Sequence, residues 1–191
     1  MKKEDLIRYK FDGLNSEIFR WEVLTPTAFT KEEFKLDKVE KEMVLAYLRA
    51  SELMCMNLIN ENNPAFGLKI IKDNPVCMPF LFLCRHTIEL SIKLRLEYEH
   101  VQNVSGHKLS KIYNKLLKFK PEIEKCNDLK IIIDVLDLID NDGCKLRYSK
   151  DKNGKVYQEQ PIFINPDKIM IATKKACEYL ISPALIKKSG R

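Results

Sequence analysis

Residues 76–100 read VCMPFLFLCRHTIELSIKLRLEYEH, and this stretch decides the predicted fold. Its first half carries large apolar side chains on almost every side of a helix, at 78, 80–83, 88, 90 and 92. A helix that is apolar all round is buried by its neighbours, because none of its faces can be turned to water at low cost. The pattern therefore predicts a central helix over about 76–100, around which the rest of the chain packs.

The same predicted helix carries the most unusual polar chemistry of the sequence, on one side: Arg85, His86, Glu89 and Lys93. At about 100° per residue, each step from Arg85 to Glu89 to Lys93 drifts by only about 40°. Charged side chains four residues apart can pair, and on a buried helix they are costly unless they do. We therefore expect these side chains to face one another or a cleft.

Two interpretations of this polar side stay open. In the first, the charges form a paired ladder that fixes packing or a dimer interface and has no catalytic role. In the second, they line a cleft in which Arg85 and Lys93 hold a phosphate group and His86 moves a proton.

Hydrophobic periodicity predicts further helices over about 37–59, 107–118, 121–140 and 166–180. Asn153-Gly154 lies between two short strand-like runs, 146–148 and 155–157, which is the typical signal of a hairpin. The expected fold is mostly α: a helical bundle of four to five helices with a small β-hairpin insertion before the last helix. Residues 1–36 form an N-terminal arm, 37–186 the helical domain and 187–191 a flexible tail.

Composition restricts the class of protein without naming a function. The net charge of +6 permits an anionic partner such as RNA but does not require one. No apolar run reaches the roughly 18 residues that span a bilayer, and no signal-peptide core follows the first residues, so we expect a cytoplasmic protein without membrane contact.

The six cysteines form no Cys-x-x-Cys pair and are expected to be reduced core residues. No motif indicates a metal site or a cofactor, so neither is expected.

Two later segments carry further polar candidates. His107 stands at the start of the third predicted helix, where it either caps that helix or reaches back toward the central one. Arg147 and Tyr148, followed by Asp151, stand where the fourth helix gives way to the hairpin. An Arg beside a Tyr can bind a phosphate and stack on a base; as easily, Tyr148 is a strand residue and Arg147 pairs with a surface acid.

Three short motifs together resemble HEPN-like helical proteins of bacteria and archaea. They are Arg85-His86-x-x-Glu89-Leu90-x-x-Lys93, Gly106-His107-x-Leu109-x-x-Ile112-Tyr113 and Leu146-Arg147-Tyr148-x-x-Asp151-x-x-Gly154. The resemblance covers about residues 38–182. It implies a bundle of four or five helices, often a homodimer, with polar residues collected where two subunits meet.

Many members are ribonucleases of toxin–antitoxin, antiphage or CRISPR-linked systems, and others are inactive partners of nucleotidyltransferases or RNA-binding modules. In the family's catalytic pattern a His follows an Arg after four to six residues, whereas here Arg85 and His86 are adjacent.

The resemblance implies a function and a set of roles. The predicted function is an RNA-directed effector, a metal-independent endoribonuclease of a toxin–antitoxin or antiphage defence system. The alternative is a non-catalytic dimerisation, nucleotide- or RNA-binding module, and a third interpretation gives the polar residues only a packing role. The expected partners are a second copy of the chain, RNA or a nucleotide, and an antitoxin or defence-system protein. The catalytic candidates are Arg85, His86 and His107, and the substrate-binding candidates are Glu89, Lys93, Arg147, Tyr148 and Asp151.

Overall fold

The computed structural model describes residues 36–61, 76–102, 104–148, 150–151, 153–156 and 164–182. Within these ranges lie α1 (Leu36–Glu61), α2 (Cys77–Tyr98), α3 (Leu109–Phe119), a 3₁₀ helix (Pro121–Lys125), α4 (Asn127–Ile139) and α5 (Pro166–Leu180). The prediction of a mostly helical bundle is confirmed. Of the predicted arm 1–36, only Leu36 is described, at the start of α1, and the predicted tail 187–191 lies outside the described residues.

Helix α2 is the centre of the bundle, as its sequence predicted. It packs against each of the other α-helices, while α5 also contacts α1 and α4. Phe80, Ile88, Ile92 and Leu96 lie on one half of α2 and are all fully buried. The opposite side, which carries His86, Leu90 and Lys93, is only partly buried, so this is the side on which polar residues of α2 reach solvent.

The predicted fourth helix, 121–140, is divided into two elements. Cys126, between the 3₁₀ helix and α4, has an extended backbone with φ −81° and ψ 90°. Ile123 and Leu129, on either side of it, are both fully buried. In one continuous helix these residues would point about 120° apart, so the break at Cys126 lets both face the same core.

Helix α3 begins at Leu109, two residues after the predicted start. Lys108 has an extended backbone, and the amide of Ser110 donates to Oδ2 of Asp137 on α4 at 3.1 Å. A carboxylate that accepts from the first turn of a helix fixes where the helix begins. His107 therefore lies outside α3, in the segment that approaches α2.

The predicted β-hairpin is wrong for the part of the chain that the structure describes. Residues 146–148, predicted as a strand, form a turn because the amides of Arg147 and Tyr148 both donate to the carbonyl of Cys144, at 3.0 and 2.9 Å. Only one isolated antiparallel bridge, between Lys150 and Val156, follows in the described residues. Residues 157–163 lie outside the description, so the second predicted run is covered only in part.

The six cysteines are free, and those at 55, 84 and 177 are buried. Burial raises the pKa of Cys84 to about 12 and that of Cys177 to about 11. Both thiols are therefore protonated at neutral pH and act as small apolar side chains. Within the described ranges, no helix combines the length and the apolar character that a membrane span requires.

Two leucines of α4 test the orientation of that helix. Leu136 is fully buried, whereas Leu138 is 79% exposed. We expect Leu136→Ala to lower the free energy of unfolding by about 2–5 kcal/mol, because it leaves a cavity. Leu138→Ala should change it by less than about 0.5 kcal/mol. Urea denaturation followed by circular dichroism measures both, and equal losses would contradict this orientation of α4.

Candidate functional site

The guanidinium of Arg85 joins α2 to two loops. Its Nε donates to the backbone carbonyl of Asp140 at 2.9 Å, and Nη1 donates to Oε2 of Glu89 at 3.0 Å. Its Nη2 donates to the backbone carbonyl of His107. The side chain is only 3% exposed. Arg85 thus connects the middle of α2 with the segment before α3 and the loop after α4.

The loop after α4 is shaped to receive this guanidinium. The carboxylate of Asp140, fully buried, accepts the amides of Gly143 at 2.8 Å and Lys145 at 3.1 Å. Gly143 has φ +79°, and a Cβ built on it would lie 3.1 Å from Nη1 of Arg85 and 3.3 Å from Cβ of His107. Only a glycine fits here without displacing a neighbour, because three chain segments meet at this point.

Glu89 is the shared acceptor of the site and is 2% exposed. Its Oε1 lies 2.7 Å from Nζ of Lys93 and 2.8 Å from Nδ1 of His107. Burial by itself raises the pKa of Glu89, but the hydrogen bonds from Lys93 and His107 outweigh it and leave the pKa below the ordinary value. The carboxylate is therefore ionised at neutral pH, with Oε2 committed to Arg85 and Oε1 to the other two groups.

His107 is the partner of Glu89 that faces solvent. Its side chain is 58% exposed. Because an ionised carboxylate only accepts hydrogen bonds, Nδ1 of His107 carries the proton and donates it to Glu89. In the neutral ring Nε2 is then an acceptor, and among the described residues it has no hydrogen-bond partner. A buried carboxylate that orients an imidazole in this way prepares the other ring nitrogen to take up a proton.

His86 lies on the same side of α2 in an aromatic environment. Its ring stacks on Phe82, with centroids 5.6 Å apart and planes at 11°, and meets the edge of Tyr47 at 4.6 Å. Burial, reinforced by the charge of Lys93 and opposed by Glu89, lowers the pKa of His86. The half-buried imidazole is therefore neutral at pH 7, which suits a proton acceptor.

Arg147 and Tyr148 lie at the outer edge of the same surface. Nε of Arg147 donates to the carbonyl of Gly143 at 2.5 Å. Its guanidinium carbon is 5.9 Å from the ring centre of Phe82 and 5.6 Å from that of Tyr148. Asp151, also predicted to bind substrate, closes its own turn with a carboxylate that accepts the amides of Asn153 and Lys155.

A second ion network on α2 gives a useful comparison. Arg95, fully buried, donates to Oε1 of Glu99, and Nζ of Lys120 lies 3.4 Å from the same oxygen. Among the described residues these contacts involve no histidine, and they attach the end of α2 to the segment after α3. The network around Glu89 differs in holding an imidazole that is more than half exposed.

The sequence did not indicate every contributor to this site. Asp140 and Gly143 form its floor, and the run Asp140-Asn141-Asp142-Gly143 is a turn signal that does not indicate what the turn packs against. Tyr47 packs on His86 from α1, and nothing in the sequence connects the two, because such a contact depends on helix packing.

The comparisons with known proteins give no family for the chain: no family model matches it, and neither does any curated protein or solved structure. Within the described ranges, no group of three or more His, Cys, Asp or Glu side chains is arranged to hold a metal ion. The functional proposal therefore depends on the chemistry of the residues themselves.

Gly143 and Gly154 form a matched pair for testing the floor of the site. Both have positive φ, +79° and +81°, but a Cβ at Gly154 would meet nothing within 4 Å. Gly154→Ala should lose about 1–2 kcal/mol of stability from its backbone conformation alone. Gly143→Ala should lose clearly more, because it also displaces Arg85. Thermal and urea denaturation measure both, and equal losses would show that Arg85 does not pack on Gly143.

Glu89 gives a pH prediction. A lowered pKa means that folded Glu89 binds a proton more weakly than the unfolded chain does, so its stabilisation is complete above the ordinary value of 4.5 and is lost as pH falls below it. Glu89→Gln should cost on the order of 3 kcal/mol at pH 7, and the difference from the wild type should shrink below pH 4.5. Urea denaturation across pH 3–7 measures it; a difference independent of pH would contradict the ionised state of Glu89.

Proposed function

We propose that the protein is a HEPN-like, RNA-directed effector that cleaves RNA without a metal ion, with Glu89 and His107 as its acid–base pair. The observation that supports this most is the 2.8 Å contact between a buried, ionised carboxylate and an imidazole that is 58% exposed. A carboxylate–imidazole pair at a surface is a general base, and nearby cations suit a phosphate-containing substrate.

In the proposed reaction, Nε2 of His107 takes the proton from a ribose 2′-hydroxyl. The 2′-oxygen forms a bond to the adjacent phosphorus, the bond from phosphorus to the 5′-oxygen breaks, and that oxygen takes a proton from water. The proton on His107 returns to the hydroxide that remains. The products are a 2′,3′-cyclic phosphate and a free 5′-hydroxyl, so the step needs no oxidant, reductant or further reactant.

The remaining residues support this step in different ways. Lys93, with a side chain 25% exposed, and Arg147, which is exposed, supply positive charge for the phosphate. Arg85 has a positioning role, since it is buried and holds Glu89 and the His107 segment in place. His86, neutral and on the same side of α2, is the second group able to transfer a proton.

The same surface supports a second candidate function, a non-catalytic module that binds RNA or a nucleotide. The observation that favours it is the commitment of Arg85 and Lys93 to Glu89, since two of the three basic groups are already paired within the chain. Under either candidate, the expected context is a cytoplasmic toxin–antitoxin or antiphage system. A second copy of the chain and an antitoxin or defence protein are the proposed partners.

His107→Ala should lower the rate of RNA cleavage by roughly 10²–10⁴-fold, because the general base is lost. His100→Asn is the matched control, since His100 is exposed at the end of α2. Asparagine tolerates its positive φ of 57°. The measurement is cleavage of a labelled RNA by the purified protein, with circular dichroism to check folding. Wild-type activity in His107→Ala would exclude the acid–base role.

His86→Ala tests the second histidine in the same assay and should lower cleavage less than His107→Ala does, because water supplies the proton of the leaving oxygen in the proposed step. Full activity of this variant would remove His86 from the mechanism and leave the role of His107 intact. A wild-type protein that co-purifies with nucleic acid but leaves every RNA uncut would favour the binding module over the nuclease.

A further inference from the structure

Four side chains at the outer edge of the site form a layered arrangement, here called the aromatic stack: Phe82, His86, Arg147 and Tyr148. Phe82 and His86 are nearly parallel, at 11° and 5.6 Å. The guanidinium of Arg147 bridges Phe82 and Tyr148, at 5.9 and 5.6 Å from their ring centres. The stack therefore runs from a helix at the centre of the bundle to an exposed loop.

The outer end of the stack is exposed among the described residues and is held in position. Tyr148 is 58% exposed, in contrast to Tyr113, which is 6% exposed in the core. Arg147 is fixed through Nε to the carbonyl of Gly143. Within the described residues, no hydrogen bond occupies its Nη groups. A planar cation and an exposed ring held side by side can accept the flat face of another ring and a phosphate beside it.

The stack and the acid–base pair share one loop. The carbonyl of Gly143 holds Arg147, while a Cβ at the same glycine would lie 3.3 Å from Cβ of His107. One residue therefore separates the cation of the stack from the segment that carries the proposed base. A nucleotide whose base lay on the stack would therefore bind at the same loop that the His107 segment contacts.

We infer that the aromatic stack binds an unpaired nucleobase, so that the substrate of the site is single-stranded RNA. This inference rests on the proposed function for the position of the cleaved phosphate. Bases in an A-form duplex are covered above and below by their neighbours and cannot lie on Tyr148, whereas unpaired bases can. Stacking uses the face that all four bases have in common, so the stack selects for an unpaired strand and not for one base.

The test measures binding separately from cleavage. The probe is a fluorescent 2′-O-methyl RNA strand of about a dozen nucleotides, which lacks the attacking hydroxyl and stays intact with the wild-type protein. Fluorescence anisotropy should show that Tyr148→Ala weakens binding by roughly 5- to 150-fold, the loss of one stacked base. Tyr148→Phe should bind as the wild type does. Phe119→Ala, at a ring that is 51% exposed on α3, is the matched control and should have no effect.

Two further probes complete the experiment. The same strand annealed to its complement should bind more weakly than the single strand, and Tyr148→Ala should not change that affinity. A strand with the same phosphates but abasic sugars should bind the wild type as weakly as the intact strand binds Tyr148→Ala. Unchanged single-strand binding by Tyr148→Ala, or an equal loss with the duplex, would overturn the inference.

The outcomes also separate this inference from the proposed function. If His107→Ala still cleaves RNA while Tyr148→Ala loses single-strand binding, the acid–base assignment fails and the stack stands. If His107→Ala is inactive while Tyr148→Ala binds normally, the nuclease stands and the stack fails.

Discussion

The buried guanidinium of Arg85 is the constraint on which the rest of the site depends. A charge at 3% exposure is costly unless its donors are satisfied, and here a carboxylate and two backbone carbonyls satisfy them. The two carbonyls belong to Asp140 and His107, which are distant in sequence. Arg85 therefore fixes where the loop after α4 and the segment before α3 meet the central helix.

In this arrangement the two oxygens of the Glu89 carboxylate have different partners. Oε2 is committed inward to Arg85, while Oε1 faces Lys93 and His107 at the edge of the bundle. The inward contact holds the carboxylate in place, while the outward hydrogen bonds from Lys93 and His107 keep it ionised and connect it to a group that meets solvent. Glu89 therefore has two roles: it forms a structural ion pair with Arg85, and it orients the imidazole of His107. Among the described residues, Glu99 has only the first of these roles, in its ion pair with Arg95.

Much of the scaffold followed from sequence pattern, because hydrophobic periodicity reports burial directly. The apolar run of 76–100 predicted the central helix, and the spacing of Arg85, Glu89 and Lys93 predicted their pairing. The division of 121–140 at Cys126 did not follow, because it depends on the shared core that Ile123 and Leu129 must reach. The hairpin prediction failed because residues 146–148 close a turn on Cys144, and strand-like composition cannot exclude such local hydrogen bonds.

The sequence by itself determined that one buried helix carries a ladder of charges, since residues four apart on a helix must be neighbours. Only the tertiary structure decided what each charge does. It turned Arg85 inward to two loops, brought His107 to Glu89 over 18 positions of sequence, and set Arg147 between two aromatic rings. The physical reason is that helical spacing fixes contacts within an element, while contacts between loops depend on packing that no local pattern contains.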